Sequence, residues 1–588
     1  MSCDARSIST AVLSFLAVAA AAGAQDSTAR ANDPRVNLRG GWMNAAEAAK
    51  NMRLVSHTNR QGAFVDTVNI GNFGVANSDL AFRGNYVFQG NYNGFQIWDI
   101  SSPDHPTLRS SMVCTGGQGD PSVYGNLVFI SVEERRARVD CGDSGVADSV
   151  SKDRFRGVRI FDISDVDHPR QVASVQTCRG SHPHTLVPDP RDSRNLYVYV
   201  SGTSSVRSPN ELAGCSGGKP EDDKATSLFR IDIIKVPLAS PQDARIVGSP
   251  RIFADAKGNI AGLWRGGAHG DGTQNTAETN MCHDITVYPE MGLAAGACSG
   301  NGILLDIHNP ASPRRITEVM DPNFAYWHSA TFNNDATTLL YTDEWGGGTS
   351  PRCRDSDKLT WGADAIFKLH GKKKLTLAGY YKLPAFQQPT ENCVAHNGSL
   401  VPVPGRDIMV QAWYQGGISV LDFTDPTHPA EIAYFDRGPM DPDKLALGGF
   451  WSAYWYNGNI VGSEIGRGLD VLQLTPSDLL SQNEIDAARL VTYDQFNAQV
   501  QPHIVWPASF SVSRAYLDQL NRNSGISSDR SAAIARALDA AEGMTGATRS
   551  AALLKAGAMI DRNMASAKDK ARVKALAASV RKLAAAKS

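Results

Sequence analysis

The sequence predicts an all-β chain, a seven-bladed β-propeller with a C-terminal α-helical extension. Three observations predict it. A short apolar strand, in the clearest copies ending in Asp and a turn, recurs seven times, and an entry strand precedes each copy at a matching place. No amphipathic helix separates the copies, which argues against parallel βαβ repeats. A unit of this kind cannot bury both its faces alone, so the copies stack radially and close into a ring.

The chain has 588 residues, more than one ordinary domain needs. Its formal net charge of -2 gives no global field for a nucleic acid, and none is expected as a partner. Thr10 to Gly23 is an apolar run followed by Ala22-Gly23-Ala24, a small-x-small cleavage pattern, so residues 1–24 read as a signal peptide. The run is too short for a comfortable membrane span, and the mature chain is expected to be secreted or periplasmic. Of 9 Cys, Cys3 leaves with the signal. The remaining even number suits disulfides in an exported chain. Sequential pairing is the expectation: Cys114–Cys141, Cys178–Cys215, Cys282–Cys298 and Cys353–Cys393, the first three each within one repeat.

Residues 25–63 are a polar N-terminal segment with a short helix expected over Asn44–Met52 and no chemistry assigned. The propeller is expected over 64–474. Its closing strands are clearest at Gly94-Phe-Gln-Ile-Trp-Asp, Gly157-Val-Arg-Ile-Phe-Asp, Gly302-Ile-Leu-Leu-Asp and Gly417-Ile-Ser-Val-Leu-Asp. Weaker copies start at Leu228, Ala365 and Gly468. Each is a β-branched or aromatic run bounded by turn formers, and the spacing of roughly 50 to 80 residues leaves room for insertions. The insertions are Glu134–Phe155, Val206–Ala225, Arg251–Asn280 and Gly346–Asp364, all rich in turn residues. These closing strands, followed by Ser, Asn or Asp and then Pro, resemble the repeat of the LVIVD-repeat family. The resemblance implies an exported β-propeller and implies little about activity, since function lives in sites rather than folds.

Beyond Leu474 the character changes, and 475–588 reads as helical. Thr475 is the expected N-cap with Pro476 at the first position, and the helix is expected over Ser477–Tyr493. Gln501–Pro507 breaks it, and two or three helices are expected from Ser509 onward. From Ala541 the chain carries ten basic and three acidic residues. A solvated helical hairpin accounts for that bias, and the sharper reading is peripheral contact with an anionic membrane surface.

The aligned entry positions read Asp79, Asp120, His184, His283, His328, His396 and Trp451. Entry strands line a propeller's channel, so four histidines from consecutive blades would face one axis. Imidazole is the commonest protein ligand for such ions, so His184, His283, His328 and His396 are expected to hold a transition metal ion, Cu, Fe, Mn or Zn. His182, two residues before His184 and on the same face of an extended chain, is an alternate or auxiliary ligand. Glu344, Glu464 and Asp120 are the expected acid/base or ligand-orienting groups. A structural role for a recurrent blade histidine, bonded to backbone, is the competing account. His105, His168 and His428 instead sit in His-Pro turns and read as structural. Channel histidines of this kind are similar in architecture to those of selenium-binding-protein/methanethiol oxidase and carotenoid-cleaving oxygenase propellers, but no motif of either family is matched. Phosphate-loop, nucleophile-elbow and EF-hand patterns are absent. The leading expectation is a metal-dependent oxidoreductase or hydrolase acting on a small molecule. The alternative is a non-catalytic scaffold for an envelope protein.

Overall fold

The computed structural model describes residues 30–586. The expected signal peptide, 1–24, lies outside the described residues. Within them, seven antiparallel sheets of at least four strands form the blades of a ring. The innermost strands are Asn77–Arg83, Pro121–Tyr124, His184–Pro188, Ile285–Tyr288, Trp327–Phe332, Gly398–Val401 and Phe450–Tyr456, in blades 1 to 7.

The strands taken as closing are the third of each blade rather than the last. They include Gly94–Asp99, Gly157–Asp162, Asn301–Asp306 and Ile418–Asp422. Sandwiched between neighbouring blades, they are buried on both faces, which is why they read as continuous apolar runs. The Asp that ends each one accepts the backbone N–H two residues on (Ser101, Ser164, His308, Thr424), so it builds the turn that follows. The fourth strands lie at the rim, and that of blade 2, Arg170–Gln176, buries one residue of seven, which hid it from hydrophobic patterning. In all seven blades the third–fourth pair carries a register shift, a bulge that increases the twist at the edge.

The expected helix at Asn44–Met52 is two strands. Glu47–Lys50 adds a fifth strand to blade 6, and Met52–Asn59 supplies the outer strand of blade 7 against Gly468–Leu474. The sheet edge they cover outweighs the helical bias of Ala45–Lys50. The ring is therefore closed by the N-terminal segment, and His57 Nδ1 meets Asp470 across that seam at 2.5 Å.

The C-terminal region also departs from expectation. The first helix, α1 (Gln482–Arg489), starts at Ser481 rather than Thr475. Ser481 and Glu484 form a reciprocal capping box, a stronger start signal than Thr475-Pro476. Four further helices follow: α2 (Phe510–Arg522), α3 (Ser528–Glu542), α4 (Gly546–Arg562) and α5 (Lys570–Ala585). They share one apolar core built on Leu520, Leu538, Leu553, Ile560 and Leu576. Among the described residues no helix is long and apolar enough to cross a membrane.

The segment between α1 and α2 crosses one end of the channel. Gln495–Asn497 pairs with Ala81–Arg83 of blade 1. The Asn497 amide bonds both N–H and C=O of Val123 in blade 2, Val500 bridges to Val287 in blade 4, and the Gln501 amide bonds both polar groups of Phe332 in blade 5. All these partners lie in the later part of their innermost strands, so the starts of those strands face the other mouth.

The four disulfides pair as expected, Cys114–Cys141, Cys178–Cys215, Cys282–Cys298 and Cys353–Cys393. Three tie a blade-to-blade connection to an insertion loop, and Cys282–Cys298 staples blade 4 to its own lead-in. The disulfides fit an extracellular or periplasmic protein.

Candidate metal centre

The starts of the innermost strands converge on a buried cluster of imidazoles. Ring centroids run His182 to His283 at 4.6 Å, His283 to His328 at 3.9 Å, and His328 to His396 at 4.4 Å. His283, His328 and Glu344 bring one ligand atom each within 4.8 Å of one another, a group that can hold a metal ion. His182 Nε2 stands 3.0 Å from His283 Nε2, and His396 Nε2 lies 3.7 Å from Glu344 Oε1.

The other ring nitrogens are occupied by separate acceptors. His182 Nδ1 meets Asp120 Oδ2 at 2.5 Å, His283 Nδ1 meets Asp284 Oδ1 at 2.9 Å, and His396 Nδ1 donates to the Trp451 carbonyl. Such partners fix both tautomer and ring orientation, leaving Nε2 free to ligate. His328 is completely buried, and neither of its ring nitrogens has a hydrogen-bond partner in the protein. Buried polar atoms without partners are rare and costly. A nitrogen-rich donor set with one carboxylate suits a transition ion. The residues fit such an ion.

Burial pushes the imidazoles down and the acids up, and local charge decides the exceptions. Burial would lower His182, but the Asp120 carboxylate beside it outweighs this and lifts it to about 9. For Asp120 burial acts upward, and His182 overrides it and holds the carboxyl below the usual range. Burial, with His283 and His396 adding to it, keeps His328 well below the ordinary imidazole value. Burial takes His396 to about 3 despite its bond to Trp451. Burial raises Glu344, while Tyr414 Oη donates to its Oε1 at 2.6 Å.

The structure brings together His283, His328, His396, Glu344 and Asp120 from the expected set. His184 goes elsewhere. Its Nδ1 bonds Ser131 Oγ at 2.7 Å, and burial lowers it to about 4. His182 stands in the cluster instead. The blade-3 strand starts only at His184, so His182 precedes it and the alternation of an extended strand does not govern it. A signal for this existed. His182, His283 and His396 each lie six residues before a proline that ends or follows the innermost strand: Pro188, Pro289 and Pro402. Glu464 is also outside the cluster's bonding. Its oxygens accept from the N–H groups of Gly449, Gly466 and Arg467 and from the Arg467 guanidinium, so it holds two turns. Asp79 lies deeper, bound by Tyr454 and Gln499, and burial with Asp120 nearby raises it to about 7.

Sequence reasoning missed Asp284, Tyr414, Tyr326 and Glu133. Glu133 directly follows the second strand of blade 2, the place Glu344 holds in blade 5, and burial raises it to about 7. A cavity of about 670 Å³ opens over the cluster. Its wall includes His182, His283, His396, Glu133 and Glu344, the aromatics Tyr92, Tyr326, Tyr414 and Trp451, and the Trp345–Gly348 loop. Gly346, Gly347 and Gly348 all have positive φ, and a Cβ on Gly348 would strike the Tyr414 hydroxyl, so only glycine lets this loop approach.

The LVIVD repeat family matches residues 75–113. That span is blade 1. No curated protein matches the chain. Among solved structures, hydrazine synthase of Kuenenia stuttgartiensis is 11% identical with a TM-score of 0.40, covering 70% of this chain and 98% of that one. A protein from Lactobacillus plantarum is 11% identical with a TM-score of 0.36, covering 61% of this chain and 82% of that one. Likeness at this level carries no argument about the site. The chain is a seven-bladed β-propeller whose first blade is an LVIVD repeat.

Proposed function

We propose that the chain is an exported metal-dependent enzyme, with a transition ion held by the Nε2 atoms of His182, His283, His328 and His396 beside Glu344. One observation carries this reading. Three imidazoles from three blades have Nδ1 committed to separate acceptors, and His328, packed between His283 and His396, has no hydrogen-bond partner on either ring nitrogen while its Nε2 faces Glu344 Oε2 at 3.8 Å. His184, by contrast, spends Nδ1 on Ser131 of the neighbouring blade and stands outside the cluster.

Bound there, a redox-active ion such as Cu or Fe supplies electron transfer from an organic substrate, whereas Zn supplies polarisation for hydrolysis. The mostly imidazole donor set suits Cu, Fe and Zn alike, so the ion bound decides between the two reactions. Asp120, Asp284 and the Trp451 carbonyl orient the rings. Glu344 offers Oε2 as the site where a substrate proton is taken up or returned, while Tyr414 holds Oε1 in place. Tyr92, Tyr414 and Trp451 wall the cavity against water. The segment at Gln495–Gln501 crosses the far end of the channel, so substrate enters past the insertion loops.

Elemental analysis of the purified mature chain tests the proposal, beside the double variant H283A/H396A. About one transition ion per chain, lost in a still-folded variant, is the expected result. No ion in the wild type after reconstitution with Cu, Fe, Mn and Zn would overturn it and leave a binding propeller. Export is tested by N-terminal sequencing of the secreted chain, which should begin at Gln25.

A further inference from the structure

We propose that the cavity over the cluster takes a small aromatic carboxylate, its anionic group on Arg352 and its ring against Tyr92, Tyr414 and Trp451. The assignment rests on the metal-centre reading only for what happens to the ligand; the recognition itself is argued from Arg352.

Arg352 lines the cavity. Its guanidinium stacks on the Trp345 ring at 3.9 Å, so one face is covered and the donor edges remain for a ligand. Among the described residues no carboxylate pairs with it, although its neighbour Arg354 is paired with Asp357 at 2.8 Å. Its Nε is buried without a hydrogen-bond partner. The position is fixed: the Arg352 N–H donates to the Cys393 carbonyl at 2.9 Å, and Lys382 Nζ donates to the Arg352 carbonyl at 2.6 Å. The next residue is disulfide-bonded to Cys393. A guanidinium held this firmly, without a counter-ion, on a cavity wall is complementary to a planar carboxylate. Burial, with Arg354 adding to it, outweighs the pull of Asp357 and Asp343 and lowers the Arg352 value from the ordinary one.

The rest of the ligand follows from the wall. Tyr92 and Tyr414 meet Trp451 edge to face, with centroids 6.5 and 6.3 Å away, which presents aromatic surface to the cavity. Aromatic ligands pack on such surface with their own offset or edge contacts. A cavity of about 670 Å³ suits a small organic molecule.

The test is calorimetric titration of the full mature chain, as purified and again after chelation, with benzoate, its neutral isostere benzamide, and acetate. Benzoate is expected to bind at least about tenfold tighter than benzamide, and acetate weakly. R352Q should erase the benzoate preference while keeping the wild-type melting temperature, and R352K should keep part of it. W345L, which leaves the charge but removes its stacking surface, should weaken the preference. Equal binding of benzoate and benzamide, no benzoate binding, or an undiminished preference in R352Q would each overturn the proposal. The chelated arm separates the two readings: a preference that survives chelation rests on Arg352 and not on a metal, a wild type that takes up no ion on reconstitution yet prefers benzoate refutes only the metal reading, and a metal-loaded chain without the preference refutes only this one.

Discussion

His182 and His283 meet Nε2 to Nε2 at 3.0 Å while both Nδ1 atoms are committed to carboxylates, Asp120 and Asp284. Were both rings neutral, their lone pairs would turn toward one point and repel; either a bound cation or the second proton that Asp120 helps His182 to keep relieves this. The contact joins blade 3 to blade 4. It gives the first prediction a sharp form, because the two histidines nearest in sequence, His182 and His184, sit in different environments.

H182A should lose the bound ion, and H184A should retain it. H184A leaves Ser131 without its imidazole partner, at a cost of about 1–3 kcal/mol, seen as a lowered urea midpoint. Retention of the ion by H182A together with its loss from H184A would restore His184 as the ligand.

How much of this was legible can be argued from the same two residues. Composition and apolar periodicity exposed the third strands, since burial on both faces leaves an unbroken hydrophobic run, and alignment on them put His283, His328, His396 and Asp120 at matching places in their blades, where the structure gathers them. Alignment could not place blade 3, where two histidines lie two apart and the choice depends on where the strand begins. Tyr414 and Asp284 carry no pattern of their own. They join the site only because Glu344 and His283 arrive from other parts of the ring.

H328A should abolish metal binding without large loss of fold if the ion is the main partner of that ring. The measurement pairs ion content with thermal unfolding. A variant that keeps its ion would remove His328 from the ligand set.

Reducing the chain at Cys353–Cys393 should be costly. Those residues are 40 apart in sequence, and loop-closure entropy sets the loss in a C353S/C393S variant at about 4 kcal/mol by denaturant titration. The same variant should weaken the benzoate preference, since Arg352 is pinned to that staple. Unchanged stability would show that hydrogen bonds such as Lys382 to the Arg352 carbonyl and the Arg352 N–H to the Cys393 carbonyl hold the insertion without the staple.

The seam of the ring responds to pH through His57. Burial acts to lower this imidazole, but its bond to Asp470 prevails and raises it above the ordinary value. A raised folded-state value means the contribution is fully present below the unfolded value of about 6.5 and is lost as pH rises through the folded one. H57A should therefore narrow the stability difference between pH 6 and pH 9 in thermal unfolding. An unaltered difference would place the pH dependence elsewhere.

The N-terminal strand and the segment that crosses the channel both join partners more than four hundred positions apart, Met52 with Leu474 and Ala81 with Asn497. Contacts that distant form late, after the local sheets. The cluster of histidines draws on blades 3, 4, 5 and 6, so it does not exist on a half-made chain. Any ion it holds is chosen where the last strand docks, by what that compartment supplies, and a chain that closes its ring in the wrong place would be built correctly around the wrong metal.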